Sequence, residues 1–306
     1  MTNTASPVND EAWKSGELAS APQVKTMLEA RARTGQTMRG FQLTRADLEG
    51  LDLVNAGAKT GFRLIQADLY RANLRNAHCF MLDLSGSSLM KADLQHANLH
   101  YADLRDCNLL GARLSHARIE QVNWGTEIIQ ERQARQAKSK DIARDYYQQA
   151  EETYRNLRKV CEEQGLFENA GRFFQREMVV RRMLMPRYSA KRLVSKLVDL
   201  FCGYGEQPIR VMLFSLLVIF TFSLLFVLLG IHNGEHLMAF AWQQDWRTNL
   251  NAYFTSLYLS VVTFTTLGYG DVTPFGITRT LAAIEAFIGS FTLALFVVVF
   301  VKKMTR

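Results

Sequence analysis

The chain has 306 residues, 48% of them hydrophobic and 21% charged, with a formal net charge of +7. That length allows two or three domains. Its four cysteines, Cys79, Cys107, Cys161 and Cys202, are scattered and form no CxxC pair. This argues against a zinc site or a disulfide scaffold and suits a reducing compartment. The averages hide a segregation, because apolar residues gather after about residue 208. The opening MTNTASPVNDEAWKSGELAS has no basic start and no apolar core, so it is not read as a signal peptide and is expected to be loose. Ala21–Gly35 has the capacity for one short helix covering the start of the next domain, and residues 1–40 are read as tail plus capping helix.

Residues 41–124 repeat every five residues. From Leu64 through Leu69, Leu74, Cys79 and Leu84 to Trp124, one apolar residue recurs at this spacing. A mostly small apolar residue stands two before it, as at Ala67, Ala72 and Ala77. An earlier run, Leu43, Leu48, Leu53 and Ala58, has the same spacing, with one extra residue before Leu64. Five residues advance a helix by about 140°, so these leucines would spiral and form no stripe. In short extended segments, Ala and Leu two apart point inward, and each unit then turns a corner. The pattern resembles the pentapeptide-repeat family, which implies a right-handed quadrilateral β-helix, an all-β solenoid of about four coils. At ~4.8 Å per coil the rod is about 20 Å long. Some members of that family mimic DNA with an acidic surface. Here nine Asp/Glu balance nine Lys/Arg, so no nucleic-acid role is expected. A spacer or scaffold for an unknown protein or ligand partner fits better.

Residues 125–186 are charged with helical spacing. Tyr146, Tyr154, Leu157 and Cys161 mark one face, Gly165 punctuates, and Phe167, Ala170, Phe174 and Met178 mark the next. The reading is a cytoplasmic hairpin of two helices, with GLFENAGRFF resembling a tetratricopeptide-type unit. Residues 187–207 form the next region, a basic interfacial helix with Leu193, Val194, Leu197, Val198 and Phe201 opposite its cations. Arg181, Arg182, Arg187, Lys191, Arg192 and Lys196 are the candidate contacts for anionic lipid.

Residues 208–306 carry two apolar runs, 208–231 and 277–301. Each is long enough to cross a hydrocarbon core of about 30 Å. Cations precede the first (Lys191, Arg192, Lys196, Arg210) and follow the second (Lys302, Lys303, Arg306). The positive-inside rule puts both ends in the cytoplasm. The loop from His232 to Asn251 then lies outside, with Trp242 and Trp246 as interface anchors. His232 and His236, at i,i+4, could hold a metal there, although solvated loop histidines are commoner.

Between the runs stand a helix expected over 252–265 and the segment TFTTLGYGDVTP. Irregular backbone survives at membrane depth only where it is buried or lines a wet cavity. The segment resembles the potassium-channel signature, whose core is TVGYG. The resemblance implies a homotetramer whose filter carbonyls, from Thr266, Leu267, Gly268, Tyr269 and Gly270, replace the water of K⁺. Leu267 and Tyr269 would brace the strand against the pore helix, and Asp271 would sit at the outer mouth. Leu267 departs from the usual Val or Ile and leaves a poorly selective cation pore as an alternative. GSFTLALFV resembles the inner helix of voltage-gated relatives, with Gly289 as the flexible point and Phe296 in place of a proline. Gly289, Thr292 and Phe296 share a face and are candidates for cavity and constriction. Phe296 could gate, or could pack on lipid or a subunit. Glu285 lies inside the span, where an acid is costly and functional by default. It either bonds Ser260 or Thr263 behind the filter, the favoured placement, or faces the cavity.

No arginine row marks a voltage sensor and no GxGxxG follows a predicted strand. The reading is therefore a K⁺ channel of the plasma membrane, of the bacterial inner-membrane kind, gated by other means. No enzyme activity and no cofactor are expected, K⁺ being the permeant ion. A membrane-anchored scaffold with a vestigial pore is the reading from another class.

Overall fold

Asp, Asn or Ser between the inward residues of most repeats has a backbone task. Asp68 Oδ1 accepts from the Tyr70 amide (3.0 Å), Asp83 Oδ1 from Ser85 (3.0 Å) and Asn98 Oδ1 from His100 (3.2 Å). Such Asx turns compete with helix and close a corner two residues on. The corner residue takes a left-handed φ, as at Arg71 (56°), His96 (61°) and Tyr101 (58°). Three near-extended residues and a two-residue corner give one side, and four sides make a coil.

The computed structural model describes residues 10–233 and 236–304, and the chain divides into two units, Met1–Arg192 and Leu193–Arg306. In the first unit, α1 (Asp10–Ser15) and α2 (Val24–Arg33) precede β1 (Met38–Arg39), which pairs in parallel with β2 (Leu64–Ile65). From Arg63 onward, parallel bridges join residues 20 apart, such as Arg63↔Asp83, Asp83↔Asp103 and Asn98↔Arg118. Most sides contribute one bridge and are too short to be strands. Inside, Leu69, Leu89 and Leu109 are buried, as are Ala72, Ala92 and Ala112. Burial of each leucine contributes about 1.5–3 kcal/mol.

The register before Arg63 differs from the expected single extra residue. Gln42 pairs with Asp68 and Asp52 with His78, 26 residues apart. Six extra residues therefore leave the wall after Asp52, and Ala58 is exposed in that loop and makes no side of the coil. Spacing alone cannot separate a wall unit from a loop of nearly the same length.

The first residues are not uniformly loose. Trp13 on α1 is buried and stacks on Phe41 at 5.1 Å, closing the first coil. Residues 1–9 lie outside the described residues. At the other end, three helices stand where a hairpin of two was expected. They are α3 (Ile129–Gln136), α4 (Lys140–Glu163) and α5 (Phe167–Leu184). Apolar Ile128 and Ala134 let α3 bury one side, and its Glu131 accepts from the Tyr154 hydroxyl at 2.6 Å. Trp124 meets Phe173 edge-on at 5.6 Å, which closes the last coil.

α6 (Ala190–Cys202) leads through a turn at Gly203–Gly205 to α7 (Pro208–Leu229). In the second unit, β3 (Ile231–Asn233), β4 (His236–Met238), α8 (Trp246–Phe264), β5 (Val272–Pro274) and α9 (Thr278–Met304) come next. α8 begins six residues earlier than expected, because Asp245 caps it through the Arg247 amide (3.4 Å). The loop after α7 is not plain coil. β3 pairs antiparallel with β4 and with β5, in the order β4-β3-β5.

Candidate functional site: the re-entrant segment

α7 and α9, of 22 and 27 residues, are long and apolar enough to cross a membrane. α8 packs on both, and its C-terminus delivers the chain to Thr266. The Thr266 and Leu267 amides cap α8 by donating to Thr263 and Val262, each at 3.0 Å. Beyond them the backbone departs from helix. Thr266, Gly268 and Gly270 have φ of 58°, 58° and 80°. Glycine takes this region freely, whereas a β-branched residue there is strained by about 1–3 kcal/mol. Among the described residues, the carbonyls of Thr266 through Gly270 accept no hydrogen bond. All five residues are exposed in the single chain, so these carbonyls are open to a partner outside the chain itself.

The Leu267 and Tyr269 side chains stand exposed beside α8 of the same chain. They are 59% and 68% exposed in the single chain. Alternating left-handed residues turn these side chains off α8. Asp271 is paired with the Tyr258 hydroxyl on α8. The strand leaving the Gly-rich segment is secured on its far side, where β5 pairs with β3 and His232 lies opposite Thr273. His232 also meets the Phe275 ring at 4.7 Å. The register puts His232 beside Leu237 and His236 beside Asn233, hence on opposite faces of the sheet. They cannot share a metal, and no group of three metal-ligating side chains occurs among the described residues.

Behind the segment, Glu285 of α9 is buried and its Oε1 is in hydrogen-bond contact with the Ser260 hydroxyl. That hydroxyl donates to the Ile219 carbonyl of α7 at 2.9 Å. One polar cluster thus joins three helices. Glu285 Oε2 and Ser256 Oγ have no hydrogen-bond partner among the described residues.

Gly289 is buried where α9 crosses the end of α8, and a Cβ there would overlap the Phe264 carbonyl. α9 continues unbroken through it. Close approach is thus a direct reason for this glycine. Thr292 is buried and bonds back to the Ile288 carbonyl at 2.7 Å. Phe296 packs with Cys202, Val211 and Val299. Positions 282, 285, 289, 292, 296 and 299 recur at three and four, and that stripe faces its own α7 and α8. Leu293 and Val297 lie on the exposed side of the same helix.

Of the basic residues, Arg181 and Arg182 lie in the last turn of α5, and Lys191, Arg192 and Lys196 on α6. Arg187 is exposed in the turn between them, and Arg192 is tied to the Met185 carbonyl at 3.0 Å. Leu193, Val194 and Leu197 of α6 are exposed. Lys302 of α9 pairs with Glu206, just before α7.

Residues 213–306 match the family model described as ion channel, and residues 87–123 match pentapeptide repeats in eight copies. The C-terminal unit carries an ion-channel domain. Both apolar helices and the Gly-rich segment between them fall largely within the matched residues. Among solved structures, the chain is similar to HetL, a pentapeptide repeat protein involved in heterocyst differentiation regulation from the cyanobacterium Nostoc. The identity is 28%, over 28% of this chain and 50% of HetL, with a TM-score of 0.21. It is also similar to Rfr23, a pentapeptide repeat protein from the cyanobacterium Cyanothece. There the identity is 25%, over 30% of this chain and 65% of Rfr23, with a TM-score of 0.09. The chain thus spans half to under two thirds of these relatives. No curated protein matches the sequence.

Proposed function

We propose that four copies of this chain form a K⁺-selective channel, with both termini cytoplasmic and the pore in a plasma membrane of the bacterial inner-membrane kind. The observation that carries the proposal is the run of five unbonded carbonyls from Thr266 to Gly270 at the end of α8, between two apolar helices. Carbonyls replace the hydration shell of K⁺ only if nothing else occupies them. The exposed filter side chains and the exposed face of α9 with Leu293 and Val297 supply surface for neighbouring copies and for the cavity. The repeat rod is a right-handed four-sided β-helix. Gating comes from this cytoplasmic unit, from anionic lipid at Arg181, Arg182, Arg187, Lys191, Arg192 and Lys196, or from the filter. Purified protein in planar bilayers tests selectivity. Replacing K⁺ by Na⁺ on one side is expected to shift the reversal potential strongly, and an unmoved potential overturns the proposal.

A second reading, a poorly selective cation pore, draws on the unpacked Leu267, whose γ-branched side chain replaces a β-branched one. Under it, Leu267→Val raises the K⁺/Na⁺ permeability ratio. An unchanged ratio in that variant removes this reading.

A further inference from the structure

In the stacked coils some columns of amides donate to the preceding coil and others to the next. The Arg71 amide donates to Met90, and the Lys91 amide to Leu110. Gly111 is next in this column, and no coil lies beyond it. Likewise the Leu74 amide donates to Asp93 and the Leu94 amide to Arg113, while Leu114 has no coil to donate to. Among the described residues, the Gly111 and Leu114 amides donate no hydrogen bond.

α4 crosses this terminal edge without filling it. Asn156 Nδ2 donates to the Ala112 carbonyl at 2.9 Å and Gln164 Nε2 to the Ala117 carbonyl at 2.7 Å. These bonds satisfy carbonyls and leave the amides. Between edge and helix lies a cleft of about 380 Å³, whose lining includes Gly111, Arg113, Ser115, Glu152, Arg155 and Lys159. Its volume is within the range of small-molecule sites. Arg113 is held by Asp93 (3.2 Å), and Arg155 by Glu151 (2.5 Å) and Glu177 (3.2 Å), so both forks are fixed. Lys159 has no ion-pair partner among the described residues and supplies an uncommitted positive charge.

We infer that this cleft binds a phosphorylated polyol. Free backbone amides beside cations form an anion cradle, which takes the phosphate. Glu152 and the Asn156 side-chain carbonyl are acceptors, and they suit hydroxyls better than a second anionic group. The lining offers no aromatic platform for a nucleobase. A free sugar phosphate and the headgroup of a phosphatidylglycerol-type lipid share this chemistry.

The test is isothermal titration of the full chain in detergent with glucose 6-phosphate and with inorganic phosphate. A parallel arm measures binding to phosphatidylglycerol vesicles against phosphatidylcholine vesicles. The sugar phosphate is expected to bind about tenfold or more tighter than phosphate, since the hydroxyls add bonds to a charged acceptor. Lys159→Glu and Ser115→Glu are each expected to weaken it about tenfold or more, with unchanged melting. Lys140→Glu makes the same charge change on the first turn of α4 and leaves binding as it was. Binding confined to phosphatidylglycerol vesicles and lost in Lys159→Glu supports the same chemistry with a lipid source. Equal affinity for sugar phosphate and phosphate, an equal loss in Lys140→Glu, or no binding in either arm overturns the inference. The readout is binding, so it stands apart from whether the pore selects K⁺.

Discussion

Gly289 shows how much one hydrogen in place of a methyl can decide. It lets α9 lie against the Phe264 carbonyl, close to the start of the Gly-rich segment. Gly289→Ala must push the two helices apart, and overpacking of this kind costs about 1–3 kcal/mol. We expect a lower thermal midpoint in detergent and a smaller K⁺ current, and a wild-type melt with full current would refute the packing role. The tripeptide Gly-Tyr-Gly occurs twice, at 203–205 and 268–270. At the first, Gly203, Tyr204 and Gly205 all have positive φ (55°, 57° and 81°), and the Tyr204 hydroxyl bonds Ser195 at 2.8 Å. That is a corner between helices. At the second, only the glycines are left-handed, and the tyrosine projects free. The residues are the same, and the neighbours choose the use.

Buried thiols give a second prediction at this scale. Burial pushes Cys79, Cys107 and Cys161 up from an ordinary 9.0 to about 12. The unfolded chain releases these protons near 9 and the folded chain near 12. Their contribution to stability is therefore intact below pH 9 and is lost as pH rises toward 12. Cys107 stands where most repeats have alanine, so Cys107→Ala should fold and should flatten the alkaline fall of the melting curve. An identical fall in wild type and variant would exclude the thiol as a cause.

Among elements, the repeat wall depends on its ends. A coil without a neighbour leaves backbone groups and leucines uncovered. α1 answers this at the start with Trp13 on Phe41, and α5 at the finish with Phe173 on Trp124. Trp13→Ala removes the largest buried side chain of the first cap, and such a deletion costs about 3–5 kcal/mol. Melting observed by circular dichroism should show that loss, and hydrogen exchange should rise first in residues 38–54. Uniform exchange along the wall would mean that the cap is not the weak end. The elements at the pore's outer end were less legible than the wall. β3, β4 and β5 have three residues each, too few for an alternation pattern to stand out. Only their mutual pairing makes them strands.

For the whole molecule, the two units suggest separate tasks. Under the proposed function, ion selection would belong to the segment after α8, and the repeat unit would contribute to opening. Deleting residues 1–125 is expected to leave the reversal potential unchanged and to alter open probability in single-channel recordings. An unaltered open probability would leave the rod without a role in gating.

The sequence by itself determined what depends on short-range order and composition. A period of five with alanine two before leucine admits a turning wall and no helix. Two long apolar stretches, with glycine between them, admit a re-entrant segment. The tertiary structure alone decided what depends on contacts between distant residues. It took Ala58 out of the wall, because register shows only when Asp52 meets His78. It turned Phe296 toward Val211 and separated His232 from His236 across a sheet. It also left the Gly111 and Leu114 amides unpaired, a result of where the coils stop and α4 begins. Periodicity sets which side of an element is apolar, and only packing sets what that side meets.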